Sequence, residues 1–210
     1  MKSESVDNAA WLPLFPLQTL LFPDGILPLR IFETRYIDMV RECMRLDRPF
    51  GVVAISSGAE TGASAEPESI GCVANIIDWD MAAGGLLTIR TRGQRRFRIL
   101  VTRVLADQRL EAQVAMLDAD LPAAPDAMHV HCATALKQVS DDFDQRALQD
   151  PQYADIFARP LRFDDAGWVA NRWCEILPIS LKARQKLLEV DDPTTRLSII
   201  FAYLQQHKIL

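Results

Sequence analysis

Residues 11–50 read WLPLFPLQTLLFPDGILPLRIFETRYIDMVRECMRLDRPF, and the punctuation of this stretch decides the fold. Pro13, Pro16, Pro23 and Pro28 exclude an interior helix and restrict any strand here to edges, strand starts or bulges. Two short apolar runs remain, Leu12–Phe15 and Ile26–Phe32, separated by a segment that ends in the turn signal Pro23-Asp24-Gly25. From Glu33 to Leu46 the period changes. Tyr36, Met39, Val40, Cys43 and Met44 recur at three- and four-residue spacing, which makes one face of a helix apolar. Asp47-Arg48-Pro49 stops that helix, because the residue before proline is pushed out of the α region.

Downstream, Phe50–Ser56 is a compact apolar strand and Ser57–Ser69 a long loop. The loop's GAETGAS run lacks the lysine and glycine spacing of a phosphate loop. Ile70–Asp80 reads as a second long strand, Ala82–Gly85 as a hairpin tip and Leu86–Arg92 as the returning strand. Gly93-Gln94 signals another turn before Phe97, Ile99 and Val101, with a bulge or bend expected near Arg103. Leu110–Met116 alternates as a last strand. Short strands at this spacing predict a small barrel or a strongly curved sheet.

After Leu121-Pro122-Ala123-Ala124-Pro125 the period shifts from two to near 3.6, so the division predicted is residues 10–120 and 121–210, with movement between them. Asp126–Leu148 reads as a long helix with Met128, Cys132, Leu136, Val139 and Phe143 on one stripe. Pro151 and Pro160 bracket a short helix, Asp164 or Asp165 caps another, Ser180 caps Leu181–Glu189, and Pro193–Gln206 closes the chain. The fold class is α+β, a curved β domain followed by a helical bundle.

The blocks LPLFPLQTLLFPDGILPLRIFETRYIDMV, Phe50–Val53, Gly58–Gly62, Ile70–Ala74, Gly93–Ile99, Leu177-Pro178 and Arg184–Glu189 resemble, in order, the substrate-binding (N-terminal) domain of the Lon protease family. The resemblance implies a PUA-like pseudobarrel with one inserted helix. It also implies polypeptide recognition by a stand-alone form, since neither an ATPase nor a serine–lysine protease segment fits in this sequence.

Over 210 residues the chain carries 23 basic and 28 acidic side chains, a net charge of −5 that argues against a dedicated nucleic-acid binder. The polar N-terminus, with Glu4 and Asp7, is not a signal peptide, and four prolines with Asp24 interrupt the most apolar span. A cytoplasmic location without membrane contact is expected. Cys43, Cys72, Cys132 and Cys174 are far apart and sit among apolar neighbours, so they read as core rather than as disulfides or metal ligands. His129 and Cys132 share a helix face but lack further ligands at zinc spacing, and no cofactor is expected.

No nucleophile elbow occurs, and Ser180 reads as a helix cap. Glu33 and Glu60 read as structural acids. An unrecognised small-molecule hydrolase is therefore the least supported function. Arg90, Arg92, Arg95, Arg96, Arg98 and Arg103 form an arginine-rich stretch that would serve RNA phosphates or pair with carboxylates such as Glu33, Asp78, Asp80 and Glu111. The acidic balance and lack of interleaved aromatics favour pairing. A partner polypeptide needs an exposed apolar patch. The hairpin supplies Trp79, Met81, Leu86 and Leu87, and an inter-domain cleft would add Phe163 and Trp168. The proline-rich segment Leu17–Pro23 is a third source, through Leu20, Leu21 and Phe22.

Overall fold

A computed structural model describes residues 11–62, 64–82, 85–124, 126, 129–154 and 156–210. The N-terminal residues 1–10, Gly84 of the hairpin tip, Pro125 of the connector and Met128 of the expected helical stripe lie outside the described residues.

Seven strands form one sheet: β1 (Leu12–Leu17), β2 (Ile26–Ile31), β3 (Phe50–Ser57), β4 (Glu66–Pro67), β5 (Ile70–Met81), β6 (Leu87–Val104) and β7 (Leu110–Met116). The pairing order β1-β7-β6-β5-β3 closes on itself, because β1 also pairs in parallel with β3. The prolines explain how. β1 meets β7 through Leu12–Leu14 and β3 through Leu14–Leu17. Pro13 and Pro16 therefore each stand where the strand has a neighbour on one side only, so the missing N–H breaks no ladder bond on the other. Pro28 lies on β2, which among the described residues pairs with β6 alone.

The helix α1 (Thr34–Arg45) crosses between β2 and β3 and buries Tyr36, Met39, Val40 and Cys43 on Phe15, Leu29, Phe50 and Ile89. Glu33 stands at its N-cap with no side-chain cap bond. Its carboxylate meets Arg35 at 3.0 Å, an ion pair at the start of the helix.

Gly93-Gln94 is not a turn. β6 runs unbroken for 18 residues, and the glycine has a tertiary cause. A Cβ on Gly93 would lie 2.0 Å from the Phe22 carbonyl oxygen. The Pro23-Asp24-Gly25 turn lies against this bare backbone through Asp24 N–H to Gly93 O and Gly93 N–H to Gly25 O, both 2.9 Å. The late bulge falls between Ile99 and Val101, ahead of its expected place at Arg103.

Among the described residues, four helices follow β7, α2 (Val130–Ala147), α3 (Ala166–Ile176), α4 (Leu181–Glu189) and α5 (Pro193–Gln206), and a single 3-10 turn at Pro151–Tyr153, between α2 and α3, stands where a short helix was expected. Asp165, Ser180 and Asp192 cap α3, α4 and α5 through backbone N–H groups. The helical core of Leu136, Trp168, Val169, Trp173, Leu188, Leu197 and Ile200 is continuous with Leu20, Phe22, Ala54 and Ile70 from the β half. Charges reinforce that junction. Buried Arg96 of β6 donates to Leu188 O (2.7 Å) and Val190 O (3.1 Å) and pairs with Asp120, which also holds buried Arg196 at 2.6 Å. Among the described residues, no helix is long and apolar enough to cross a membrane.

Candidate functional site

The site is built from the second half of β5. Residues Phe50–Val52 of β3 pair with Cys72–Ala74, and beyond that point, among the described residues, β5 pairs on one side, with β6. Burial changes at the same place: Ile70–Ala74 are buried, whereas Asn75 and Ile77–Met81 are exposed. Ile77, Trp79 and Met81 are 50%, 54% and 38% exposed, a cluster of large apolar side chains on an open strand edge. Between this edge and the C-terminal end of α1 lies a groove of roughly 510 Å3, lined by Cys43, Met44, Asp47, Arg48, Pro49 and Asn75–Trp79.

The rim is acidic. Asp47 adopts a positive φ of 48° just past α1, where the helix dipole adds partial negative charge. Among the described residues, Asp47, Asp78 and Asp80 have no ion-pair partner, while Arg48 is held by Glu42 at 2.9 Å. The Asp78 carboxylate instead accepts the Trp79 backbone N–H at 2.9 Å. Arg90 stands opposite Asp78 in the strand register.

The other expected surface residues are placed differently. Leu86 is half-buried, and Leu87 is buried against the α1 core. Trp168 is buried in the helical core, with Phe163 half-buried and edge-on to it at 5.4 Å, so the inter-domain cleft does not present these rings as a patch. Leu20, Leu21 and Phe22 are buried as well. Ile77 and the α1 end were missed in the sequence, because an exposed Ile next to acids looks like any strand residue until pairing shows which edge is open.

The arginine stretch is mostly engaged in the fold. Arg92 binds Asp24 at 2.7 Å, Arg95 donates to Leu117 O at 2.8 Å, and Arg96 is buried in the junction. Arg103 pairs with Glu111 at 2.6 Å and lies 4.0 Å from the ring centroid of Trp11. Of these pairs of Arg92, Arg96 and Arg103, that with Glu111 matches an expected carboxylate, while Arg92 and Arg96 pair with Asp24 and Asp120. Arg98 is exposed.

His129 Nδ1 meets Asp126 at 2.9 Å and its Nε2 meets Ser198 Oγ at 3.1 Å, while Cys132 is buried. Burial pushes the Cys72 and Cys174 thiols up to about 12 and Cys132 to about 11, so none is a thiolate at neutral pH. Ser180 Oγ accepts the Ala183 N–H, and Glu60 accepts the Gln18 N–H.

Comparison with known proteins agrees with this architecture. A Lon protease of Cytophaga hutchinsonii is 28% identical over 192 residues, which is 88% of this chain but 23% of that protein. Protein cereblon of Xenopus tropicalis is 31% identical over 115 residues, covering 53% of this chain and 25% of cereblon. The chain thus spans about a quarter of the length of these curated relatives. The crystal structure of a Lon N-terminal domain protein from Xanthomonas campestris superposes with a TM-score of 0.73 at 34% identity, covering 92% of this chain and 98% of that one. The N-terminal domain of a Mycobacterium avium complex Lon protease shares the fold alone, with a TM-score of 0.63 at 18% identity over 94% of this chain and 100% of that one. The family model of the ATP-dependent protease La (LON) substrate-binding domain matches residues 11–206, and the chain belongs to that family.

Proposed function

We propose that this chain is a non-catalytic recognition module for polypeptide, with the open tip of β5 and the adjoining α1 groove as its contact surface. The closed ring of strands would be the PUA-like pseudobarrel of the family, with α1 as its inserted helix and α2–α5 as a supporting bundle. One observation carries the reading: Trp79 is 54% exposed between two flanking apolar side chains on an unpaired edge. A large aromatic left in water without a folding role is characteristic of a recognition hot spot. Methionine beside it adapts to varied partners.

The experiment compares wild type with Trp79→Ala for capture of reduced, alkylated lactalbumin, an unfolded polypeptide. Capture should drop several-fold in the variant while the melting temperature stays within a few degrees. A large loss of stability would make Trp79 a core residue, and unchanged capture would remove the surface from the function.

A further inference from the structure

We infer that the β5 edge binds its polypeptide as an added antiparallel or parallel strand, and selects extended segments that alternate apolar with basic residues. This rests on the polypeptide-recognition reading above and adds to it the bound conformation and the charge of the ligand.

The conformation follows from the backbone. From Asn75 to Met81 the described pairing of β5 is with β6 on one side, with a register shift between Ile76 and Asp78, and on the other side residues Asn75–Trp79 line the groove. A row of unpaired peptide groups is a template for one more strand, and main-chain bonds then supply affinity that is indifferent to sequence. Native edges of this kind are usually guarded. Here the guards are the register shift between Ile76 and Asp78 and the Asp78 carboxylate, which takes the Trp79 N–H at 2.9 Å. An incoming strand that offers its own carbonyl replaces this bond and frees the Asp78 carboxylate toward the ligand. Ile77, Trp79 and Met81 remain to meet apolar side chains along the same edge.

The charge follows from the rim. Asp47, Asp78 and Asp80 lack ion-pair partners among the described residues, and the groove floor ends at the negative pole of α1. The cations on these elements are Arg45 in the last turn of α1, Arg48, which pairs with Glu42, and Arg90 across from Asp78. An acidic segment would meet repulsion from the three aspartates, whereas lysine or arginine at alternate positions would meet complementary charge.

The test uses four synthetic peptides of equal length: alternating Val and Lys, the same with Glu in place of Lys, and the Val–Lys peptide N-methylated either at every Val or at every Lys. The Val–Lys peptide should bind about tenfold or more tightly than the Val–Glu peptide. N-methylation, which keeps side chains but removes strand hydrogen bonds, should abolish binding in one of its two registers. Asp47→Asn with Asp78→Asn should weaken the Val–Lys peptide and leave the melting temperature unchanged. Equal affinity for the Lys and Glu peptides, or indifference to N-methylation in both registers, overturns the inference. If lactalbumin capture still depends on Trp79 in that case, the polypeptide reading stands and only the strand-addition account falls. If neither the peptides nor lactalbumin bind, both fall.

Discussion

Trp79 and Trp168 are the same residue type with opposite fates, and only their surroundings differ. Trp79 stands on an edge with water on one side, whereas Trp168 is enclosed by Phe157 and Phe163 at ring distances of 6.2 and 5.4 Å. Trp168→Ala should therefore cost about 3–5 kcal/mol of stability, the cost of a core aromatic truncation, measured by denaturant unfolding. Glycine 93 makes a similar point for backbone. A Cβ at 2.0 Å from the Phe22 oxygen cannot be relieved by a rotamer change, so Gly93→Ala should destabilise by about 3 kcal/mol, the upper end of overpacking. Glu175 gives the pH prediction. Burial pushes its carboxyl up to about 7, against the opposing pull of Arg172, whose Nη2 lies 2.7 Å from its Oε1. An acid whose folded pKa exceeds its unfolded value weakens the fold once ionised. That penalty is absent below about 4.5 and grows as pH rises to about 7. Stability should fall with rising pH across this window, and Glu175→Gln should flatten the slope; an unchanged slope would contradict the assignment.

At the scale of elements, the sequence was most legible where a local signal sets the outcome. The proline pattern of β1, the apolar stripe of α1 and the caps Asp165 and Ser180 all act within a few residues of where they are read. Asp165 accepts the Gly167 and Trp168 N–H groups at 3.0 and 3.3 Å, so Asp165→Ala should cost about 1 kcal/mol by thermal unfolding. Gly93-Gln94 was misread because a glycine inside an alternating run looks like a turn, while its actual partner is the Phe22 carbonyl seventy residues away in sequence order, roughly, and invisible to local pattern. Arg96 was misread for the same reason. It stands in an arginine-rich run that reads as surface, yet the acceptors that bury it, Leu188 O and Val190 O, come from the far end of α4. Of the candidate surface, Trp79 and Met81 were readable as exposed by their acidic neighbours and hairpin position; Leu87 and Trp168 were not, because apolar residues carry no mark of which layer will cover them.

At the scale of the molecule, the helices and the ring are joined rather than merely tethered. Asp120 lies between two buried guanidinium groups, Arg96 and Arg196, and the connector's Ala123 O accepts the Ala166 N–H at 2.6 Å. Asp120→Ala would leave both cations buried without that partner and should cost about 3–5 kcal/mol. We accordingly propose a stiff junction: limited proteolysis should cut the loop 57–69 before the connector 118–124, and early cleavage of the connector would instead support the flexible hinge that its prolines suggest. A rigid scaffold also suits the proposed function, since it holds the β5 edge open against α1 without requiring that edge to fold on binding. Hydrogen–deuterium exchange with and without reduced, alkylated lactalbumin tests this most directly. The account predicts new protection of the backbone amides of residues 75–81, with the α1 end at 43–49 following. Protection confined to the arginine-bearing segment 95–104, or to the helices, with 75–81 exchanging as fast as in the free protein, would contradict it.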